Sequence, residues 1–337
     1  MGGRGEAPRP AAWLRASSPS IPAQPALHCP LDRDVLEHPP RTSAVRARRA
    51  DPARLATLSG LLGDPSPTVW REVRRELRAL GAAARPLLRT AARRGEPRAR
   101  ARARLMLLRA GRATVARRLV RFASRDEIDL ERGLLLLSRF EQPRLDVRHS
   151  IAALDAMGAE LADRTEALPP NIERAQELIR FLAEDLGYDG ERDDYHHPDN
   201  VFLHRAIERK RGLPLTLTAL YLCVARRAGI SAAPVALPGH VVLRLHDRGG
   251  NVLVDPVRLG ARLSERDCLA YLARRGLPFR PEWFADASDA HMLERQVRNL
   301  RQGYARRDLA AEARLLDMVL TAFERRRQRS ALAGEAS

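Results

Sequence analysis

Apolar residues recur at helical spacing along most of the chain. Val69, Val73 and Leu77 fall on one stripe, which predicts an amphipathic helix that starts after an Asp-Pro turn. The same spacing predicts further helices at 84–92, at 99–110, on both sides of Pro143 within 126–164, at 171–186, at 201–209, at 214–228 and twice within 289–327. Helices therefore account for most of the predicted elements.

One region has the pattern of strands instead. Short apolar runs predict strands at 233–236, 240–246 and 251–255, with a hairpin turn at 247–250. A further helix is predicted after Ser264, because Asp267 stands at the capping-box position. Few strands among many helices predict an α+β fold, in which a small antiparallel sheet is embedded in a mostly helical chain.

Shifts in composition divide the chain into four segments. Residues 1–50 are rich in Pro and Arg and lack apolar periodicity, so we expect a disordered tail. Residues 51–122 resemble HEAT-type repeats, since a Leu-rich helix, an Asp-Pro turn and a Val-containing helix that ends in Leu-Gly follow one another. The strands and their flanking helices form a predicted domain at 126–285. Residues 289–327 resemble one tetratricopeptide-like helical pair.

The formal net charge of +17 suits a nucleic-acid partner. However, Lys210 is the only lysine among 59 basic residues, and such an excess of arginine is typical of a GC-rich coding sequence. No base-reading motif accompanies the charge. We therefore expect a protein or peptide as the main partner rather than nucleic acid.

Cysteine usage and hydropathy indicate the compartment. Cys29, Cys223 and Cys268 are far apart, so the sequence predicts no disulfide framework, no metal site and a reducing environment. No apolar run approaches the ~18 residues of a membrane span, and the N-terminus lacks the apolar segment of a secretory signal. We expect a cytoplasmic protein that uses no membrane and no cofactor.

Residues 211–256 carry the candidate chemistry. A helix is followed by His240 in L-P-G-H and by a strand that ends at Asp255, which is the order of a Cys-His-Asp thiol-enzyme core. A turn centred at 248–249 places Val242 opposite Asp255. His240 and Asp255 then become diagonal neighbours roughly 5–8 Å apart at Cβ, close enough for a hydrogen bond. Alternatively, His240 only ends a Pro-Gly turn and Asp255 only caps an Asp-Pro turn.

The residue at the nucleophile position departs from the Cys-His-Asp pattern. A thiol enzyme places its cysteine at a helix N-terminus, where the helix dipole favours the thiolate, but here the residue is Pro214. Cys223 lies about 13.5 Å further along the same helix, so we expect it to pack in the core. The hydroxyls of Thr216 and Thr218 are expected to bond backbone carbonyls in the first turns. Cys268 belongs to a later helix, and the sequence does not place it.

A polar loop before residue 200 also contains potential metal ligands. These are Asp193, Asp194, His196, His197 and Asp199. They have no established ligand spacing, so we interpret the segment as a solvated loop rather than as a metal site.

Several stretches together resemble a known family. They include D-L-E-R-G-L-L-L-L-S-R-F-E-Q-P-R-L-D, R-G-L-P-L-T-L-T-A-L-Y-L, L-P-G-H-V-V-L-R and V-L-V-D-P, within about 126–325. They resemble the SirB-type transglutaminase-like family, in which tetratricopeptide-like helices follow the domain and some members are labelled regulators of sirC expression. That family generally has Pro where active transglutaminases have Cys. The resemblance implies a transglutaminase-like, papain-like core in which His240 and Asp255 are the remnant of a catalytic dyad.

We order three hypotheses for function. The first is a non-catalytic transglutaminase-like protein that acts as a regulatory protein-interaction module. The second is a hydrolase or acyltransferase that uses His240 as general base and Asp255 as its orienting group. The third is a nucleic-acid-associated regulator that uses the basic helices.

Overall fold

The computed structural model describes residues 51–169, 172–246, 251–256 and 261–335. The tail predicted at 1–50, the first residue of the helix predicted at 171–186 and the turn predicted at 247–250 lie outside them. The chain forms two compact units. Their described parts are 51–119 with 139–145 in the smaller unit and 120–138 with 146–335 in the larger one.

The smaller unit is helical. Its helices are α1 Pro52–Leu61, α2 Pro67–Leu80, α3 Arg85–Arg94 and most of α4 Pro97–Ala123. Asp51 and Ser66 cap α1 and α2 by accepting hydrogen bonds from backbone N–H groups of the first turn. The buried apolar residues come from all four helices and include Leu58, Leu62, Val73, Leu77, Leu88 and Ala103.

The helix predicted at 99–110 is longer than its pattern indicated. It runs from 97 to 123 as α4, without a break at Gly111. A Cβ on Gly111 would lie 2.6 Å from the side chain of Pro143, so the glycine allows a close approach of two segments. The prediction that the helix ends near Gly111 was wrong, because the helix tolerates a glycine that packing requires.

Helices also begin the larger unit. They are α5 Leu130–Glu141, α6 Arg148–Thr165, α7 Ile172–Ile179, α8 Leu203–Arg209 and α9 Pro214–Arg227. The break predicted at Pro143 is present between α5 and α6. The helix predicted at 171–186 continues beyond α7 only as a π-helical turn at Arg180–Asp185. The central α9 is buried without interruption from Leu215 to Ala225, so it forms the middle of this unit.

A four-stranded antiparallel sheet lies beside α9. Its strands are β3 Ala232–Val235, β4 Val242–Leu245, β5 Val252–Asp255 and β6 Ala261–Leu263, in that spatial order. Two-residue strands β1 Asp189–Gly190 and β2 Arg211–Gly212 form a separate parallel pair. The sequence did not predict β6. The strand predicted from residue 240 begins at 242, so His240 lies in the preceding loop.

The pairing of strands β4 and β5 determines which residues of the candidate dyad region lie opposite each other. Leu243 pairs with Val254, which sets Val242 opposite Asp255 as the sequence predicted. Val242 and Leu253 pack with Cys268 of helix α10 Glu265–Arg274. Because side chains alternate along a strand, Asp255 points to the same face as Leu253.

Two long helices end the chain. They are α11 Asp289–Arg306 and α12 Ala310–Glu335, the second longer than predicted. They pack along each other through buried residues such as Val297, Leu300 and Phe323. Among the described helices, none combines the length and the apolar character needed to cross a bilayer. A small antiparallel sheet within a mostly helical chain confirms the predicted α+β class.

Candidate functional site

His240 and Asp255 form a hydrogen bond. The distance from His240 Nε2 to Asp255 Oδ2 is 3.0 Å. The Asp255 side chain is 5% exposed and the His240 side chain 17%, so the pair is largely shielded from water. When Nε2 carries the proton and donates it to the carboxylate, Nδ1 is the nitrogen that can accept a proton. The predicted contact between the two side chains is therefore confirmed.

Tyr271 of α10 covers the imidazole. The two ring centroids are 5.5 Å apart, and the Tyr271 hydroxyl donates a hydrogen bond to the Pro238 carbonyl at 3.1 Å. Burial raises the pKa of the Tyr271 phenol, so the hydroxyl stays protonated near neutral pH. Gly239 has a φ of 73°, and a Cβ there would lie 2.8 Å from Arg275 Nη1. Its backbone conformation requires glycine, whereas the Arg275 side chain could move away from a Cβ.

Two arginines flank the same loop. The Arg275 guanidinium lies 4.9 Å from the centroid of the Tyr271 ring, a cation–π distance. Arg295 of α11 is directed at the backbone carbonyls of Leu237 and His240, each 3.4 Å from Nη2. Burial lowers the pKa of Arg295 from its usual value. Neither arginine, nor Tyr271, was predicted from the sequence as a site residue.

The helix start contains no nucleophile at the expected position. Pro214 is the first residue of α9 and is half-buried. Cys223 is buried in the core, where desolvation holds the pKa of its thiol well above the usual range. Cys268 lies in the apolar cluster on the Asp255 face, and burial raises the pKa of its thiol to about 11. Both thiols are thus protonated near neutral pH.

Both threonines bond backbone carbonyls, Thr218 within the first turn of α9 as predicted and Thr216 outside the helix. Thr216 Oγ1 donates to the Asn200 carbonyl at 2.8 Å and accepts from Gln296 Nε2 at 2.7 Å. Thr218 Oγ1 donates to the Pro214 carbonyl at 2.8 Å and lies 3.3 Å from the Val241 carbonyl. The start of α9 is therefore tied to the residue that follows His240.

The polar loop before residue 200 has structural contacts. Asp194 pairs with Arg307 at 2.7 Å. His197 Nδ1 accepts a hydrogen bond from the Asp199 N–H at 3.1 Å and caps the short helix Pro198–Val201. Across the described residues, no three His, Cys, Asp or Glu side chains are grouped so that they could hold a metal ion.

Comparison with known proteins agrees with this architecture. Residues 148–298 match the profile of the transglutaminase-like superfamily, which defines the class of the domain. The chain is 30% identical over 200 residues to a UPF0162 protein of Xylella fastidiosa, covering 55% of this chain and 69% of that protein. The chain belongs to the UPF0162 family.

Two further relatives cover less of the chain. A UPF0162 protein of Pseudomonas aeruginosa is 33% identical over 167 residues, covering 48% of this chain and 59% of its own length. F-box only protein 21 of Mus musculus is 30% identical over 95 residues, which are 26% of this chain and 15% of that protein. No solved structure matches the chain.

Proposed function

We propose that the protein acts as a non-catalytic transglutaminase-like module that binds a protein or peptide partner in a regulatory role. The observation that carries the proposal is Pro214 at the first position of α9, where a thiol enzyme of this class needs its cysteine. The buried thiols of Cys223 and Cys268 support the same interpretation, since burial raises the pKa of each and disfavours its thiolate.

The helical segments that precede and follow the domain in the sequence support a binding role. Helices α11 and α12 carry the tetratricopeptide-like pattern, and α1 to α4 carry the HEAT-like pattern. Repeats of both kinds form extended surfaces for other proteins. The resemblance to the SirB-type family supports a regulatory role in particular.

A turnover measurement tests the absence of catalysis. The purified full-length protein is incubated with a glutamine peptide and an amine donor, and separately with ester and thioester substrates. We expect the rates of wild type, Cys223→Ser and Cys268→Ser to equal that of His240→Ala, with circular dichroism confirming that each variant is folded. A rate that falls at least tenfold in either cysteine variant, at unchanged melting temperature, contradicts the proposal.

One observation favours a hydrolase or acyltransferase as the second candidate. The hydrogen bond of 3.0 Å between His240 and Asp255 could orient the imidazole as a general base for water or for a substrate nucleophile. This candidate predicts turnover that His240→Ala abolishes and that Asp255→Asn lowers strongly, on the order of 10²-fold or more. Equal rates in wild type and both variants would exclude it for the substrates used.

A further inference from the structure

The loop that carries His240 is contacted by cationic and aromatic side chains from two helices. We call His240, Tyr271, Arg275 and Arg295 the His240 cluster. Tyr271 and Arg275 come from the end of α10, and Arg295 comes from α11. All three contact the Pro238–His240 loop or the His240 ring.

The two arginines of the cluster differ from their neighbours in their partners. Arg226 pairs with Asp289 at 2.7 Å, and Arg298 pairs with Glu294 at 2.6 Å. In the part of the protein that the structure describes, no carboxylate lies within ion-pair distance of Arg275 or Arg295. Arg275 contacts the Tyr271 ring and Arg295 contacts two carbonyls. A guanidinium has five N–H donors, so most of their donors are not used by these contacts.

The cluster brings two positively charged guanidinium groups to one loop. The nearby carboxylate of Asp255 is bonded to His240. Burying a cation without a counter-charge costs free energy, and Arg295 is half-buried. One bound carboxylate would supply a counter-charge that can accept hydrogen bonds from both guanidinium groups.

We propose that the His240 cluster binds one carboxylate group presented by a protein partner. Arg275 and Arg295 hold the carboxylate through charge-assisted hydrogen bonds, and the Tyr271 ring packs against the carbon atoms next to it. The proposal rests on the proposed function, because it specifies the chemistry that the module recognises in its partner. The carboxylate can belong to the C-terminus of the partner or to one of its acidic residues.

Calorimetric titration of the full-length protein with short peptides tests the proposal. The probes are an N-acetylated tripeptide with a free C-terminal carboxylate, the same peptide as its C-terminal amide, the amide with a central glutamate, and inorganic phosphate. We expect the free carboxylate or the glutamate peptide to bind and the plain amide not to bind. Whichever of the two binds identifies the source of the group.

Substitutions locate the binding. Arg275→Gln should weaken carboxylate binding about tenfold, which is about 1.4 kcal/mol, because it removes a charge-assisted hydrogen-bond donor. Arg295→Lys, which keeps the charge but not the planar fork, should also weaken it. Arg274→Gln is the matched control, because Arg274 is an exposed neighbour on the same helix. Its affinity should equal that of wild type.

Four results would overturn the proposal: no binding of either carboxylate peptide, equal binding of the plain amide, equal loss in the Arg274 control, or tighter binding of phosphate than of any carboxylate. Turnover assays on the same samples separate this inference from the proposed function. Turnover together with Arg275-dependent carboxylate binding would contradict the proposed non-catalytic role but support the carboxylate site. Absence of both turnover and carboxylate binding would contradict the carboxylate site and leave the proposed non-catalytic role in place.

Discussion

His246 and Asp286 form an ion pair at the edge of the sheet whose strength depends on pH. His246 Nε2 lies 2.9 Å from Asp286 Oδ2, and the same carboxylate binds Arg244. The hydrogen bond that His246 donates to the Asp286 carboxylate raises the pKa of His246 above its usual value. Since the folded-state pKa is the higher one, the stabilisation is fully present below about pH 6.5 and is lost as the pH rises through the folded-state value.

We therefore predict that His246→Gln costs more stability at pH 5.5 than at pH 8. The two costs should differ by up to ~1 kcal/mol, the range of a partly exposed ion pair. Urea unfolding of wild type and variant at both pH values gives the difference. His149→Gln, at an exposed position of α6, is the control. An equal cost at both pH values would mean that His246 is not charged in this pair.

At the residue scale, some contacts of the site can be predicted from the sequence and others cannot. The contact between His240 and Asp255 could be predicted, because strand alternation and one turn position fix which residues face each other. Arg275 and Arg295 could not be predicted. They meet the loop from helices that are distant in sequence, and in a protein whose 59 basic residues are all arginine apart from Lys210, no local pattern separates them from solvated arginines.

At the scale of the elements, the crossing of α6 and α9 depends on Gly158. A Cβ built on Gly158 would lie 2.4 Å from Cβ of Arg227, whose guanidinium bonds Asp155 at 2.8 Å. We predict that Gly158→Ala destabilises the protein by about 1–3 kcal/mol through overpacking, although alanine favours a helix interior by ~1 kcal/mol. Denaturant unfolding measures the change. A more stable variant would show that the two helices do not need this close approach.

Ala159→Gly supplies the reference for that experiment. Ala159 is exposed on the same helix, so its replacement reports helix propensity alone, a loss of ~1 kcal/mol.

The elements that the sequence predicted well are those with local signals, such as the helix after Ser264, where the full capping box is present. Strand β6 has three residues, among them Arg262, and its pairing with β5 is a tertiary contact that no periodicity records.

At the scale of the whole molecule, the folding unit extends beyond the region matched by the superfamily. The match begins at residue 148, but α5 precedes it and packs into the same unit. The Leu130 N–H donates to Asp289 Oδ2 at 2.9 Å, and Glu131 pairs with Arg227 of α9 at 2.8 Å. A Cβ on Gly133 would lie 2.3 Å from Leu293, so α5 also lies close against α11.

We therefore predict that a fragment of residues 120–337 unfolds cooperatively, whereas a fragment of residues 146–337 does not. Loss of α5 uncovers apolar surface on α11 and removes a carboxylate partner from the partly buried Arg227, which together cost several kcal/mol, roughly the whole stability of a marginal domain. Thermal unfolding followed by circular dichroism distinguishes the two fragments.

Glu131→Gln in the full-length protein separates the ion pair from the rest of the α5 interface. Because Asp155 remains as a second partner of Arg227, this substitution should cost only about 1–2 kcal/mol, less than the loss of the helix. The two fragments, 146–337 and 120–337, could instead unfold with the same cooperativity and at the same temperature. In that case α5 would not be required for the domain to fold. The transglutaminase-like core, with His240 and Asp255, would then fold without it.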